Sequence, residues 1–389
     1  MRILIVHSRY LSGHSSGENS VVEDETKLLT EAGHRVQVWQ PTPKRVTGLG
    51  LARTAIDTTW SREAVDQVRR MLREGRPEIV HFHNLFPMIS PAALRVADEE
   101  GAVPVMTLHN YRLMCLPATF LRDGRICEDC MGHSPWPGVV HRCYRNSLPG
   151  SAALATSLSL HRALRSFNRV ALYLPVSEFV RGKYVEAGFP PERLRVKPNF
   201  AWPTRTRRGP GHHFLFVGRI SPEKGVRTLI EAWRDIPAKL LIVGDGPDAK
   251  RLQGTAPRNV VFTGPVARER VADFLRGARA LLLPSLWYEA QPRVIPESYA
   301  AGVPVVASRI GGLPDFVVEG RSGFLAPAHD ATGWAEIVGR LLEDAESTRL
   351  GEGALRLWNE RYSPENALKE LENSYRDALY RRGTESRPG

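Results

Sequence analysis

No apolar run in this 389-residue chain reaches the ~18 residues that a membrane-crossing helix needs. The opening "MRILIVHSRY" lacks the basic n-region and cleavage site of a secretory signal, so a cytoplasmic setting is expected. Zinc-finger spacing of the Cys/His type, an RNP-like aromatic motif and a basic tail are all missing, which argues against nucleic acid as a partner. The charge is nonetheless one-sided: 53 Lys and Arg against 42 Asp and Glu give +11. That excess draws anionic material, which leaves acidic lipid headgroups and phosphorylated small molecules. The arginine cluster "TRTRRGPG" (204–211) reads as a solvated linker. Cysteine is scarce, with four in the chain, all between positions 115 and 143.

What is present is a strand-then-helix alternation, repeated twice. "RILIVHS", "RVQVWQ", "EIVHFHN", "VPVMTLHN" and "VALYLPVS" read as strands in the first half, with helices over Ser20 to Ala32 and Arg62 to Glu74, the first ended by Gly33. "HFLFVGRI", "AKLLIVGDG", "NVVFTGPV", "ALLLPSL", "VPVVASR" and "GFLAPA" repeat the scheme. The fold class is therefore α/β, with two doubly wound, Rossmann-like domains. The expected boundaries are 1–199 with a cysteine-containing insertion at 112–146, a proline-rich linker at 200–211, a second domain at 212–363, and a last helix at 364–380. Two such domains are expected to face a central cleft.

Ligands gather at the carboxyl ends of parallel strands. That rule selects Ser8, the Gly13 to Gly17 loop, His83, Asn84, His109, Asn110, Gly218, Arg219, Gly244 to Gly246, Gly264 and the loop at Glu289. In "FVGRISPEKG" (216–225), Gly218 permits close backbone approach, and Arg219 and Lys224 put two cations where a helix begins, a setting that suits a diphosphate. A surface turn with two solvated cations is the alternative. "VGDGP" and "FTGPV" add strand-end glycines, but neither completes G-x-G-x-x-G, so a nicotinamide fingerprint is not supported. His81 and His83 share a strand face, but no third metal ligand is evident beside them. "SLWYEAQPRVIPESYAAG" (285–302) sets Glu289 on a loop and Glu297 just inside the following helix, since Pro292 and Pro296 suit a loop and a first helical turn.

With Gly218, Arg219, Lys224, Glu289 and Glu297 in place, the chain resembles the GT-B retaining glycosyltransferases of the family 4 type. "EAQPRVIPE" matches their E-x7-E signature, "SGENSVVEDETKLLTEAGHRV" their amino-terminal loop and helix, and "GGLPDFVVEGRSGFLAP" their carboxy-terminal block. The resemblance implies that Glu289 contacts donor-sugar hydroxyls and Glu297 the ribose. It implies that the amides of Arg293, Val294 and Ile295 cap the diphosphate beside Arg219 and Lys224, and that His109 touches the sugar. Gly17 would approach the donor phosphate, the first domain would hold the acceptor, and the last helix would cross back to it. Ala290 and "QPRVIP" depart from the usual filling of the signature and leave the donor sugar open.

The implied reaction moves a hexose from a nucleotide-diphosphate sugar, a UDP-sugar such as UDP-GlcNAc or UDP-glucose first and GDP-mannose second, to a sugar-containing or lipid-linked acceptor in surface-polysaccharide assembly. Asp-x-Asp is absent, so cations rather than a metal are expected to steady the leaving group. A nucleotide-sugar epimerase and a non-catalytic binding component are the rival readings.

Cys115, Cys127, Cys130 and Cys143, with C-x2-C at their centre, suit a tetrahedral zinc site, or else four reduced thiols. They also resemble a subgroup of bacterial polysaccharide-assembly enzymes. The helix-like "LATSLSLHRALRSFNRVALYL", carrying His161, Arg162, Arg165 and Arg169, suits either peripheral binding to the anionic inner face of the plasma membrane or packing on the adjacent sheet.

Overall fold

A computed structural model describes residues 1–10, 17–42 and 49–385. The chain divides into a unit of Met1–Arg122, Cys127–Lys197 and Leu368–Gly389, and a second of Asp123–Ile126 and Pro198–Ala367. Each is built on one parallel sheet.

In the first unit the strands are β1 (Arg2–Val6), β2 (Arg35–Trp39), β3 (Ile79–Phe82), β4 (Val103–Leu108) and β5 (Leu172–Pro175), ordered β2-β1-β3-β4-β5. Ile3, Leu4, Ile5 and Val6 are all buried, as a strand covered on both faces requires. At the edge, β2 alternates with polar and half-exposed residues. Helix α1 (Gly17–Glu31) ends at Gly33, whose φ of +83° is the left-handed stop that glycine adopts without strain. Ser61 starts α2 (Arg62–Gly75) by accepting the Ala64 amide at 3.2 Å. The switch in strand order falls between β1 and β3, so His7, Ser8, His83 and Asn84 lie at the position where ligands collect in such sheets.

The second unit contains β6 (His213–Val217), β7 (Leu240–Val243), β8 (Val260–Gly264), β9 (Ala278–Leu283), β10 (Val305–Ser308) and β11 (Gly323–Ala326), ordered β8-β7-β6-β9-β10-β11. Successive residues feed opposite faces: Leu215, Leu241, Leu281 and Leu283 join one core, and Phe214, Phe216, Ile242 and Leu282 the other. Each buried Leu or Ile contributes roughly 1.5–3 kcal/mol, so both faces hold the sheet. Here the order switches between β6 and β9.

The stretch 154–174, which reads as helix-like, is the end of a helix (Leu148–Ala163), a 3-10 turn (Phe167–Arg169) and the first residues of β5. Leu154 and Leu158 are buried, and His161 Nε2 meets the Thr59 carbonyl at 2.8 Å, so these residues pack inward while Leu160 and Leu164 stay exposed. The final helix, Pro364–Glu385, rejoins the first unit from Leu368, where Tyr375 Oη lies 2.8 Å from His81 Nδ1.

Candidate functional site

In the second unit the strand-end glycines act together. A Cβ on Gly244 would fall 1.9 Å from the Gly218 carbonyl oxygen, so only glycine at 244 lets these two chain ends lie side by side. Gly218 donates to the Val243 carbonyl and Gly244 to that of Gly264, each at 3.0 Å. The three glycines therefore form one continuous polar edge at the ends of β6, β7 and β8.

Across the switch point, Lys224 Nζ donates to Glu289 Oε1 at 2.6 Å, and Ser285 Oγ donates to the same oxygen at 2.7 Å. Glu289 is 7% exposed. Burial pushes its carboxyl up, but the charge and hydrogen bond of Lys224, with help from Ser285, outweigh burial and hold it below the ordinary glutamate range. Lys224 also lies 5.1 Å from the centre of the Trp287 ring. Two glycines make this contact fit: at Gly225 a Cβ would meet the Pro284 carbonyl oxygen at 1.8 Å, and at Gly311 it would meet Tyr288 Cα at 2.6 Å.

Arg219 does not join the pair. It is exposed and has no ion pair among the described residues, so the two cations expected side by side occupy different environments. Glu297, in the first turn of the helix Val294–Ala300, has a cation set of its own: Arg293 Nη2 at 3.3 Å and Arg268 Nε at 3.8 Å. Val294 and Ile295 point into the core. The Ile295 amide donates to the Pro292 carbonyl at 3.1 Å.

Gln291 shows what the unusual filling of the signature does. It is buried, its Oε1 accepts the Asn199 amide at 2.6 Å, and its Nε2 donates to the Asn199 carbonyl at 3.2 Å. This side chain clasps the 198–201 segment instead of facing a ligand. Ser285, Trp287, Arg268 and Gln291 escaped sequence reasoning, because a lone serine or arginine carries no period and no motif.

In the first unit His109 follows β4, and its Nε2 lies 2.9 Å from His83 Nδ1 with the rings stacked at 5.2 Å. Behind them Glu25 Oε2 is 3.7 Å from His83 Nε2 and 3.9 Å from His81 Nδ1. Glu25 is thus the third ligand-type group that the sequence did not reveal; among the described residues, these three form a group whose ligand atoms lie within 4.8 Å of one another. Lys197 already supplies a cation there through its ion pair with Glu25, and both nitrogens of His81 are engaged, by Tyr375 and Thr107. Gly17 opens α1 and is exposed, while positions 13–16 lie outside the described residues.

All four cysteines line one small cavity of about 20 Å³, together with Leu116 and Phe120. None of them is in a disulfide, and no three of the sulfurs lie within 4.8 Å of one another. Burial pushes the Cys115 thiol up to about 11 and raises that of Cys130.

Two parallel-sheet Rossmann-like units, one ordered 2-1-3-4-5 and the other switching between its first and fourth strands, define the GT-B architecture. Both halves match glycosyltransferase models: residues 15–203 match "Glycosyltransferase Family 4" and residues 211–344 match "Glycosyl transferases group 1". The D-inositol 3-phosphate glycosyltransferase of Acidothermus cellulolyticus is 31% identical over 288 residues, covering 63% of each chain. The chain thus spans less than two thirds of that relative's length. A GDP-mannose-dependent alpha-mannosyltransferase of Corynebacterium glutamicum is 26% identical over 85% of this chain and 78% of its own. Anabaena Alr3699/HepE, solved with UDP, superposes with a TM-score of 0.65 at 18% identity, over 96% of this chain and 99% of that one.

Proposed function

We propose that the protein is a retaining glycosyltransferase that takes a hexose from a nucleotide-diphosphate sugar, a UDP-sugar first and GDP-mannose second. The observation that carries this reading is the half-buried Lys224–Glu289 contact at 2.6 Å, at the switch point of the second sheet. Glu289 is held as a carboxylate, so it can accept hydroxyl hydrogen bonds from a sugar. Lys224 stands within one side chain of the same place and steadies the charge that grows on the departing diphosphate. Arg219, with no competing acid, is available to the same phosphates. Glu297, on the helix that follows, is assigned the ribose hydroxyls. His109 is assigned a sugar hydroxyl, its ring fixed by His83. The neighbour solved with UDP and the relative named for GDP-mannose support the donor class without choosing the base.

Stabilisation shifts against UDP, GDP and ADP, followed by nucleotide release from the matching sugar with and without candidate acceptors, test the proposal. Acceptor-dependent release with the anomeric configuration kept is expected. Turnover of donor alone to an epimerised sugar, or nucleotide binding with no turnover against a broad acceptor panel, would replace the reading with one of its rivals.

A structural metal at Cys115, Cys127, Cys130 and Cys143 belongs to the proposal, supported by their convergence on one cavity. Binding would deprotonate thiols that burial now keeps protonated, so affinity should rise with pH. Purified protein is expected to hold close to one zinc per chain; a value near zero, with the fold kept in chelator, removes the metal. A peripheral seat on an anionic membrane, which would place the enzyme at the cytoplasmic face, now rests on Trp136, Val140 and Leu148, exposed near Arg142. Failure to float with phosphatidylserine vesicles would remove it.

A further inference from the structure

The first unit contains a cavity of about 250 Å³ that none of the residues assigned above explains. Three arginines line it, Arg9, Arg112 and Arg145, with Tyr10, Phe86 and Tyr144. Two of the guanidinium groups share one ring: Arg112 Cζ lies 5.2 Å and Arg145 Cζ 5.3 Å from the centre of Tyr144. Like charges gathered around one aromatic repel each other across a partly dry space unless an anion joins them.

The acids close by neutralise the group only in part. Glu23 pairs with Arg9 at 3.0 Å on the exposed side. Glu18 accepts from Asn110 at 2.6 Å, and burial raises its carboxyl against the opposing influence of Asn110, Tyr10 and Arg112. Arg112 is anchored through the Leu116 carbonyl, yet its Nε is buried without a hydrogen-bond partner. Arg145 is exposed, has no ion pair among the described residues, and sits on backbone with φ of +55°. A non-glycine residue in that region is uncommon, and here it presents a cation to the cavity.

We infer that this cavity is a phosphate-binding acceptor subsite, and that the acceptor carries a phosphoryl group next to a ring. Arg9 already donates to Gln40 and Glu23, so Arg112 and Arg145 supply the donors that remain open, and a phosphate ester, with more oxygens than a carboxylate, can take them from both. At about 30 Å³ per water, the space holds a phosphate and part of a sugar ring, with the aromatic faces available to the ring's C–H side. Every lining residue belongs to the first unit, whereas the donor residues Lys224, Glu289 and Glu297 belong to the second. The inference rests on the glycosyltransferase reading and supplies its acceptor class; the phosphate could be borne by a soluble sugar or by a lipid.

The test uses the full chain saturated with UDP, so that the donor site is occupied. It is titrated with glucose 6-phosphate and with glucose in one arm, and with vesicles of phosphatidylcholine with and without phosphatidic acid in the other. Binding that depends on the phosphate by about tenfold or more is expected in one arm, and the arm that responds identifies the source. Arg145→Gln should weaken it about tenfold, Arg9→Gln should weaken it as well, and UDP affinity should stay unchanged in both. Absence of phosphate dependence in both arms, or undiminished binding by Arg145→Gln, overturns the subsite. UDP affinity, read separately, shows whether the donor reading has failed instead.

Discussion

Lys224→Met should fold normally and release nucleotide from its donor sugar about a hundredfold to a thousandfold more slowly than the unaltered protein, the usual effect of removing one preorganised charge from a transition state. Glu289→Gln should lose a comparable factor for a different reason. It keeps the shape of the side chain and the hydrogen bond from Ser285, but gives up the charge that orients Lys224 and half of its capacity to accept from hydroxyls. The two variants separate in binding. Lys224→Met should weaken UDP, because it loses a phosphate contact, whereas Glu289→Gln should bind UDP almost as before and lose affinity for the sugar portion of the donor. Initial rates of nucleotide release, paired with calorimetric titration of UDP, check both. More than a tenth of normal activity in either variant would remove the assigned roles. Arg219→Gln should be milder, since Arg219 is exposed and has no partner to organise it.

The strands were readable because each is a short apolar run closed by a turn, and in both sheets the carboxyl ends carry the glycines and polar groups that the sequence puts there. Glu289 and Lys224 were also readable, as members of motifs. Their mutual contact was not, since 65 residues separate them and only the neighbouring of β6 and β9 brings them together. Gln291 stood out in the sequence only as part of an unusual filling of the signature, and the fold shows it turned back onto Asn199. In the stretch 154–174, leucines at near-helical spacing also fit a helix end followed by a buried strand, and Arg165 at φ of +54° is what breaks the run. Glu25 was invisible beside His81 and His83 because it comes from α1, more than fifty residues earlier.

That same cluster yields the larger stability effect. Lys197 and Glu25 form an ion pair with 3% and 1% of their side chains exposed, in the core of the first unit. Replacing Lys197 with methionine removes the one full cation beside Glu25. Burial holds His81 and His83 well below their ordinary range, so neither is charged to take its place. An uncompensated buried carboxylate costs about 3–5 kcal/mol, a large part of what holds a domain folded. The loss should be confined to the first unit: hydrogen exchange at β1 and β3 should accelerate, while amides of β6 and β9 keep their protection. The double variant Lys197→Met/Glu25→Leu should recover most of the stability, since two apolar groups of similar volume need no partner. Recovery of stability should not bring recovery of activity if Glu25 positions His83, and His83 in turn His109, against the donor sugar. A double variant that is both stable and fully active would reduce the histidine chain to packing; one that is stable but slow, with UDP affinity unchanged, would make it part of the sugar site.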